Sequence, residues 1–131
     1  MSFAKTKNAL VYATFGGLVL LRLVVFLQNR SLFIDEANLA RNIIQLSFSD
    51  FFGKLLYDQY APPLFMVLEK GSVLCFGVNE WALRLFPLVA GLLAFYVFLR
   101  ICKILFQTPT TLYLIGLFGL SLLLLRYSTE V

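Results

Sequence analysis

Residues 85–106 read LFPLVAGLLAFYVFLRICKILF, and that run decides the solvent in which this chain folds. Its only charges are Arg100 and Lys103 near the far end. As a helix it covers the roughly 30 Å hydrocarbon core of a bilayer, for which about 20 residues suffice. Working outward, two further stretches are long and apolar. Residues 9–27 carry a single charge, Arg22, and residues 109–127 carry only Arg126. Across all 131 residues, 60% are hydrophobic and 14% charged, with a mean hydropathy of +0.86. A water-soluble domain carries about 45–50% apolar and about 25% charged residues, so that class is excluded. Histidine is absent, which removes imidazole bases, and two cysteines are too few for a disulfide scaffold or thiolate cluster.

The fold class expected is therefore all-α and integral to the membrane. About three transmembrane helices (9–27, 85–106 and 109–127) are joined by a loop, 28–84, of different composition. That loop holds Asp35, Glu36, Asp50, Asp58, Glu69 and Glu80, six of the seven acids. Residues 35–46 place Leu39, Ile43 and Leu46 on one helical face, with two acids in the first turn where the helix dipole favours them. Ser49 or Asp50 is positioned to cap a second short helix through Tyr57. Pro62-Pro63 starts a third, running to about Phe76. At 14 residues and with Glu69-Lys70 in its middle, that helix is too short and polar for a span, and Glu69-Lys70 reads as a solvated or interfacial pair.

Basic, acid-free segments mark the cytoplasmic side. Lys5 and Lys7 put the N-terminus there, and Arg100 and Lys103 put the loop after the second span there. An even number of crossings must separate the two, so 28–84 is extracytoplasmic with its helices along the outer interface. A four-span version, with 63–76 crossing, is the rival. The Lys5/Lys7 start resembles a signal peptide, but the apolar run is longer than a signal core and Gln28-Asn29-Arg30 offers no small-residue cleavage site. On this topology Cys75 and Cys102 lie on opposite faces and cannot pair. Gly16-Gly17, Gly116 and Gly119 allow close helix approach, and Trp81 fits an interfacial anchor.

Three groups of residues could carry chemistry. Asp35-Glu36 either open a helix or hold carboxylates at the membrane surface, where they activate a hydroxyl or bind a divalent cation. Arg22, Arg84 and Arg126 lie near the outer interface and either snorkel to the headgroups or grip a lipid phosphate. Arg22 is roughly 8 Å inside its span at helical rise. Glu130, just past the third span, shares a membrane face with Asp35 and Glu36 on this topology. There is no phosphate-binding glycine motif and no basic patch interleaved with stacking aromatics, so nucleic acid is not an expected partner.

The order of these features resembles a known family. A span precedes Asp35-Glu36-Ala37. Then come Pro62-Pro63-Leu64-Phe65, the segment Phe76-Gly77-Val78-Asn79-Glu80-Trp81-Ala82-Leu83-Arg84-Leu85-Phe86-Pro87, two further spans and Tyr127-Ser128-Thr129-Glu130. Over residues 10–131 this resembles the N-terminal part of GT-C membrane glycosyltransferases. The groups most like it are bacterial dolichyl-phosphate-mannose–protein mannosyltransferase-like enzymes, with aminoarabinose transferases and lipopolysaccharide galacturonosyltransferases as relatives. The resemblance implies a polyprenyl-phosphate-linked sugar donor and an extracytoplasmic acceptor (lipid, glycan or protein) at the bacterial plasma membrane. It implies Asp35 as catalytic acid of the first outer loop, Glu36 as its partner and metal contact, and Glu130 as the second-loop acid. Apart from the resemblance, the chemistry of guanidinium groups makes Arg84 and Arg126 the charge stabilisers for the donor phosphate, with Arg22 a further phosphate-binding candidate. Ala61 stands where many members have Lys, Phe86 separates Arg84-Leu85 from the proline, and the family's Pro-Tyr pair after Glu130 does not appear before Val131.

Family enzymes are several times longer, with about a dozen spans. The chain is accordingly expected to be a single truncated membrane domain, 1–131, the N-terminal fragment of such a glycosyltransferase and inactive alone. The alternative is a small non-catalytic membrane protein that acts as an assembly partner. An ion or proton carrier is disfavoured because no acid sits inside a span.

Overall fold

The computed structural model describes residues 2–28, 32–121 and 124, with side chains from residue 8 onward. Among them there is helix and turn and no strand. The order is α1 (Ser2–Leu27), α2 (Ile34–Gln45), two 3₁₀ turns (Asp50–Phe52 and Leu56–Asp58), α3 (Pro63–Phe76), α4 (Glu80–Leu105) and α5 (Thr108–Leu120). The described residues form two compact units. A flanking unit takes α1 up to Gln28 and the chain from Leu88 onward, and a middle unit runs up to Pro87. The division falls inside α4 at Pro87, which has no N–H to offer the carbonyl of Leu83.

Two helices are long and apolar enough to cross a membrane, Asn8–Leu27 with 20 residues and Glu80–Leu105 with 26. The second begins earlier than residue 85 because Asn79 caps it. Asn79 Oδ1 accepts from Ala82 N–H at 2.8 Å, and its Nδ2 donates to Phe76 O at 2.9 Å, tying the end of α3 to the start of α4. Gly77, at φ 85°, makes the reversal that ends α3. The expected third span is present only as α5, whose 13 residues reach about 20 Å at helical rise. The rest of 109–127 beyond Ser121 lies, apart from Leu124, outside the described residues.

Within the flanking unit, side-chain contacts fix the helix directions. Lys103 Nζ donates to Tyr12 OH at 2.6 Å, and Arg22 lies 5.2 Å over the Phe95 ring, so α4 runs antiparallel to α1. Leu18 meets Gly119 and Arg22 meets Leu124, so α5 runs parallel to α1. Val11, Leu18, Phe95, Leu99 and Ile115 form the core, with Phe118 stacked on Phe95 and Phe98. Of the four glycines expected to allow close approach, only Gly119 does. A Cβ there would stand 2.5 Å from Leu18 Cδ1, whereas Gly16, Gly17 and Gly116 face open space.

In the middle unit, Leu39, Ala40 and Ile43 of α2 pack with Met66 and Val73 of α3, with Phe51 and Leu55 of the connecting loop, and with Ala82 and Leu83 of α4. The expected helix from residue 49 to 57 is instead two 3₁₀ turns. Ser47, rather than Ser49, bonds Asp50: its N–H and Oγ–H both donate to Oδ2. Beyond that turn, buried Asn42 captures the chain through bonds to both Leu56 N and Leu56 O. Fixing Leu56 against α2 leaves no room for continuous helix, and Tyr57 and Asp58 follow in the left-handed region at φ 61° and 50°.

Candidate functional site

The first turn of α2 carries the acid pair, and the two carboxylates have opposite surroundings. Phe33, the residue before the helix, has no side-chain acceptor, so only half of a reciprocal capping pattern forms. Glu36 Oε2 accepts from Phe33 N–H at 2.8 Å. Reaching back for that bond turns Glu36 into the unit, where it is 7% exposed. Arg84, on the second turn of α4, meets it there: Nη2 lies 3.8 Å from Glu36 Oε2, both side chains nearly sealed from solvent. Adjacent helical residues diverge by about 100°, so Asp35 points away and is exposed.

This arrangement joins three of the expected site residues in one unit: Asp35 and Glu36 on α2, Arg84 on α4. Their division of labour is physical. Glu36 and Arg84 lock the start of α2 to the start of α4, and Asp35 is displayed, exposed, at the helix N-terminus. Arg84 keeps one buried nitrogen, Nε, without a hydrogen-bond partner among the described residues.

The described residues do not by themselves assemble a divalent-cation site. Among the described residues no three ligating side chains gather. The one buried carboxylate of the pair already accepts a backbone N–H and faces a guanidinium, and a cation there would have to displace Arg84.

Arg22 is placed otherwise than expected. It is 1% exposed and turned into the flanking unit rather than outward, with Nη1 donating to Leu124 O at 3.1 Å and the guanidinium over Phe95. A cation on an aromatic face bonded to a main-chain carbonyl has a structural account. Arg126 and Glu130 lie outside the described residues.

Of the expected solvated or interfacial character of Glu69-Lys70, solvation is not observed. Lys70 reaches across to α2, where Nζ donates to Ile43 O at 3.0 Å and to Leu46 O, and it faces the Phe48 and Phe51 rings. It thus supplies a positive charge and donors to the carbonyl end of α2, where a helix has neither. Glu69 is 0% exposed, and neither of its oxygens has a hydrogen-bond partner among the described residues. Burial without compensation pushes its carboxyl from the ordinary 4.5 up to about 8. The Asp50 carboxyl moves the other way, held below its usual range by the two Ser47 donors.

The sequence carried no signal for Glu69. A lone acid in an apolar helix reads alike whichever way it faces. The Ser47-Asp50 spacing, by contrast, is a recognisable turn pattern.

No protein-family model, no curated protein and no solved structure matches the chain.

Proposed function

We propose that this chain is part of a membrane glycosyltransferase that moves a sugar from a polyprenyl-phosphate donor to an extracytoplasmic hydroxyl, with Asp35 as the base. The observation that carries the reading is the contrast within the acid pair. Glu36 is committed inward to Phe33 and Arg84, and Asp35 is left exposed at the helix start. A carboxylate held so can take the acceptor's O–H proton as the oxygen attacks the anomeric carbon. The bond from that carbon to the phosphate oxygen breaks, and the polyprenyl phosphate departs with the electron pair. Cations balance the charge growing on the phosphate; the candidates are Arg126 and, where the donor draws it from Glu36, Arg84. Glu130 is the second acid of the proposed centre.

In the proposed topology the N-terminus and the turn after α4 are cytoplasmic, residues 28–84 are outside, and three spans cross the bacterial plasma membrane. The antiparallel course of α1 and α4 and the return of α5 beside α1 support it.

The test is transfer of labelled sugar from a polyprenyl-phosphate donor by membranes carrying the chain in its native complement. Asp35→Asn is expected to lower transfer at least a hundredfold, and Asp50→Asn to leave it unchanged. Transfer indifferent to Asp35→Asn removes the base and the reading with it.

One observation favours a second, non-catalytic reading, an assembly partner for a larger membrane complex. Glu36, Arg84 and Arg22 each have a structural explanation that needs no substrate. Under that reading the Asp35→Asn chain still assembles and no sugar transfer depends on it.

A further inference from the structure

Helix α3 is built inside out. Its inward side carries Met66, Glu69 and Val73 at 0%, 0% and 7% exposure, and its other polar groups, Lys70 and Ser72, are bound to carbonyls of Ile43 and Ala82. Its outward side carries Leu64, Leu68 and Leu74 at 70%, 41% and 67% exposure, together with exposed Cys75. At about 100° per residue, Leu64, Leu68 and Cys75 share one narrow stripe, opposite Met66 and Val73 and about 120° round from Glu69.

A helix on a water-soluble unit has the reverse polarity. Turning α3 by half a rotation would exchange buried Met66 and Val73 for the leucines and would hydrate the carboxyl, so in water the observed orientation loses by the buried, unpartnered acid. Hydrocarbon removes that loss, because there an exposed leucine costs nothing and an exposed acid costs most. Two more observations point to the same medium. The stripe carries no charge and no strong hydrogen-bonding group to specify a protein partner. And α4, one of the two helices apolar and long enough to span a bilayer, starts directly after the Gly77–Asn79 turn. With 14 residues, α3 reaches about 21 Å and does not cross.

We propose that the Leu64–Leu68–Cys75 stripe of α3 lies against lipid acyl chains, so that this helix is seated within one leaflet with its acid turned away from the lipid. This rests on the membrane reading of the chain and not on sugar transfer.

The experiment is site-directed spin labelling of the whole chain in phosphatidylcholine–phosphatidylglycerol vesicles, reading collision with oxygen and with a water-soluble nickel chelate. In a Cys102→Ala background the label sits on native Cys75. With Cys75→Ser added, it sits on Leu64→Cys, Leu68→Cys or, as reference, Val97→Cys on the exposed side of α4. Labels at 64, 68 and 75 are expected to collide with oxygen several-fold more than with nickel, as at 97. Strong nickel collision at 64, 68 and 75 puts the stripe in water and overturns the proposal. Weak collision with both means a protein surface covers it, a second copy included, and overturns it equally. If the Val97 label also meets nickel, the membrane reading itself has failed. If Val97 reads lipid and the stripe does not, only the placement of α3 is wrong.

Discussion

Arg84 Nη2 stands 3.8 Å from Glu36 Oε2 with both side chains nearly sealed from solvent, and this one ion pair ties the first turn of α2 to the first turns of α4. Breaking such a pair from one side leaves the other charge buried, which costs about 3–5 kcal/mol. The 3.8 Å separation argues for the lower end. Arg84→Met and Glu36→Gln are each expected to destabilise the detergent-solubilised protein by roughly 3 kcal/mol. The double variant should lose less than the sum, by at least about 1 kcal/mol, since contacting residues couple. Thermal unfolding followed by circular dichroism gives all four corners of the cycle, and strict additivity would show the two charges to be independent.

Asp35 makes the opposite prediction. It is exposed and its contribution to α2 is limited to the helix dipole, a few tenths of a kcal/mol. Asp35→Asn should therefore unfold within about 0.5 kcal/mol of the parent. Any loss of transfer activity in that variant then belongs to chemistry. A shift of several degrees in its midpoint would show that Asp35 is structural and would spoil it as a probe of catalysis.

Gly119 sets the approach of α5 to α1. A methyl there would meet the whole isobutyl group of Leu18, at 2.5 Å from Cδ1 and 3.0 Å from Cγ. Overpacking of this kind costs about 1–3 kcal/mol, so Gly119→Ala is expected to destabilise by about that much and Leu18→Ala to restore part of the loss. Gly16→Ala and Gly17→Ala meet nothing and should be neutral or stabilising through helix propensity, by up to about 1 kcal/mol each. Equal effects at all three glycines in a denaturant titration would contradict this packing.

Much of this architecture is legible in the residues. The boundaries of α2 and α3 follow from Asp35-Glu36 and from Pro62-Pro63, because charge and proline act locally through the helix ends. The end of α1 at Leu27 follows from the apolar run, but the helix begins at Ser2, ahead of the run that starts at residue 9. What the residues do not disclose is facing. α3 is apolar nearly all round, so its period points nowhere, and only the tertiary bonds of Lys70 to Ile43 and of Ser72 to Ala82 decide that Glu69 turns inward. The same holds at the candidate site. The presence of Asp35, Glu36 and Arg84 is visible in sequence, but the commitment of Glu36 to Phe33 and Arg84 depends on a contact across 48 positions. The break between the two 3₁₀ turns depends on Asn42 reaching Leu56, which no local propensity encodes.

Lys70 caps α2 from a neighbouring helix through Ile43 O and Leu46 O. Lys70→Met removes the donors and the charge while keeping the stem, and a lost charged hydrogen bond at a helix carbonyl end is worth about 1–3 kcal/mol. Hydrogen exchange at Gln45 and Leu46 should then quicken about tenfold or more, with little change at the start of α2. Unchanged protection would mean that the cap contributes nothing to the helix end.

Glu69 gives the chain its pH dependence. Its carboxyl is raised from the ordinary 4.5 to about 8, so the folded protein holds this proton more tightly than the unfolded chain does. The sign follows directly. Below about pH 4.5 the group is neutral in both states and imposes no penalty. As pH rises towards 8 the unfolded chain gains by ionising and the folded one does not, so stability falls; above about 8 the decline levels off. Lys70, the charged neighbour on the same helix, is engaged with α2 carbonyls, and on the packed elements Glu36 and Arg84 face each other, Asp50 is bound by Ser47, and Asp35 and Arg41 are exposed; the shift of Glu69 is due to burial alone. At 1.36 kcal/mol per unit, the loss from pH 5 to pH 8 is on the order of 4 kcal/mol. Glu69→Gln, uncharged at every pH, should unfold at nearly the same midpoint across that range and be more stable than the parent at pH 8. A parent protein whose midpoint is flat from pH 5 to 8, or a Gln variant that retains the slope, would show that Glu69 is solvated or paired after all.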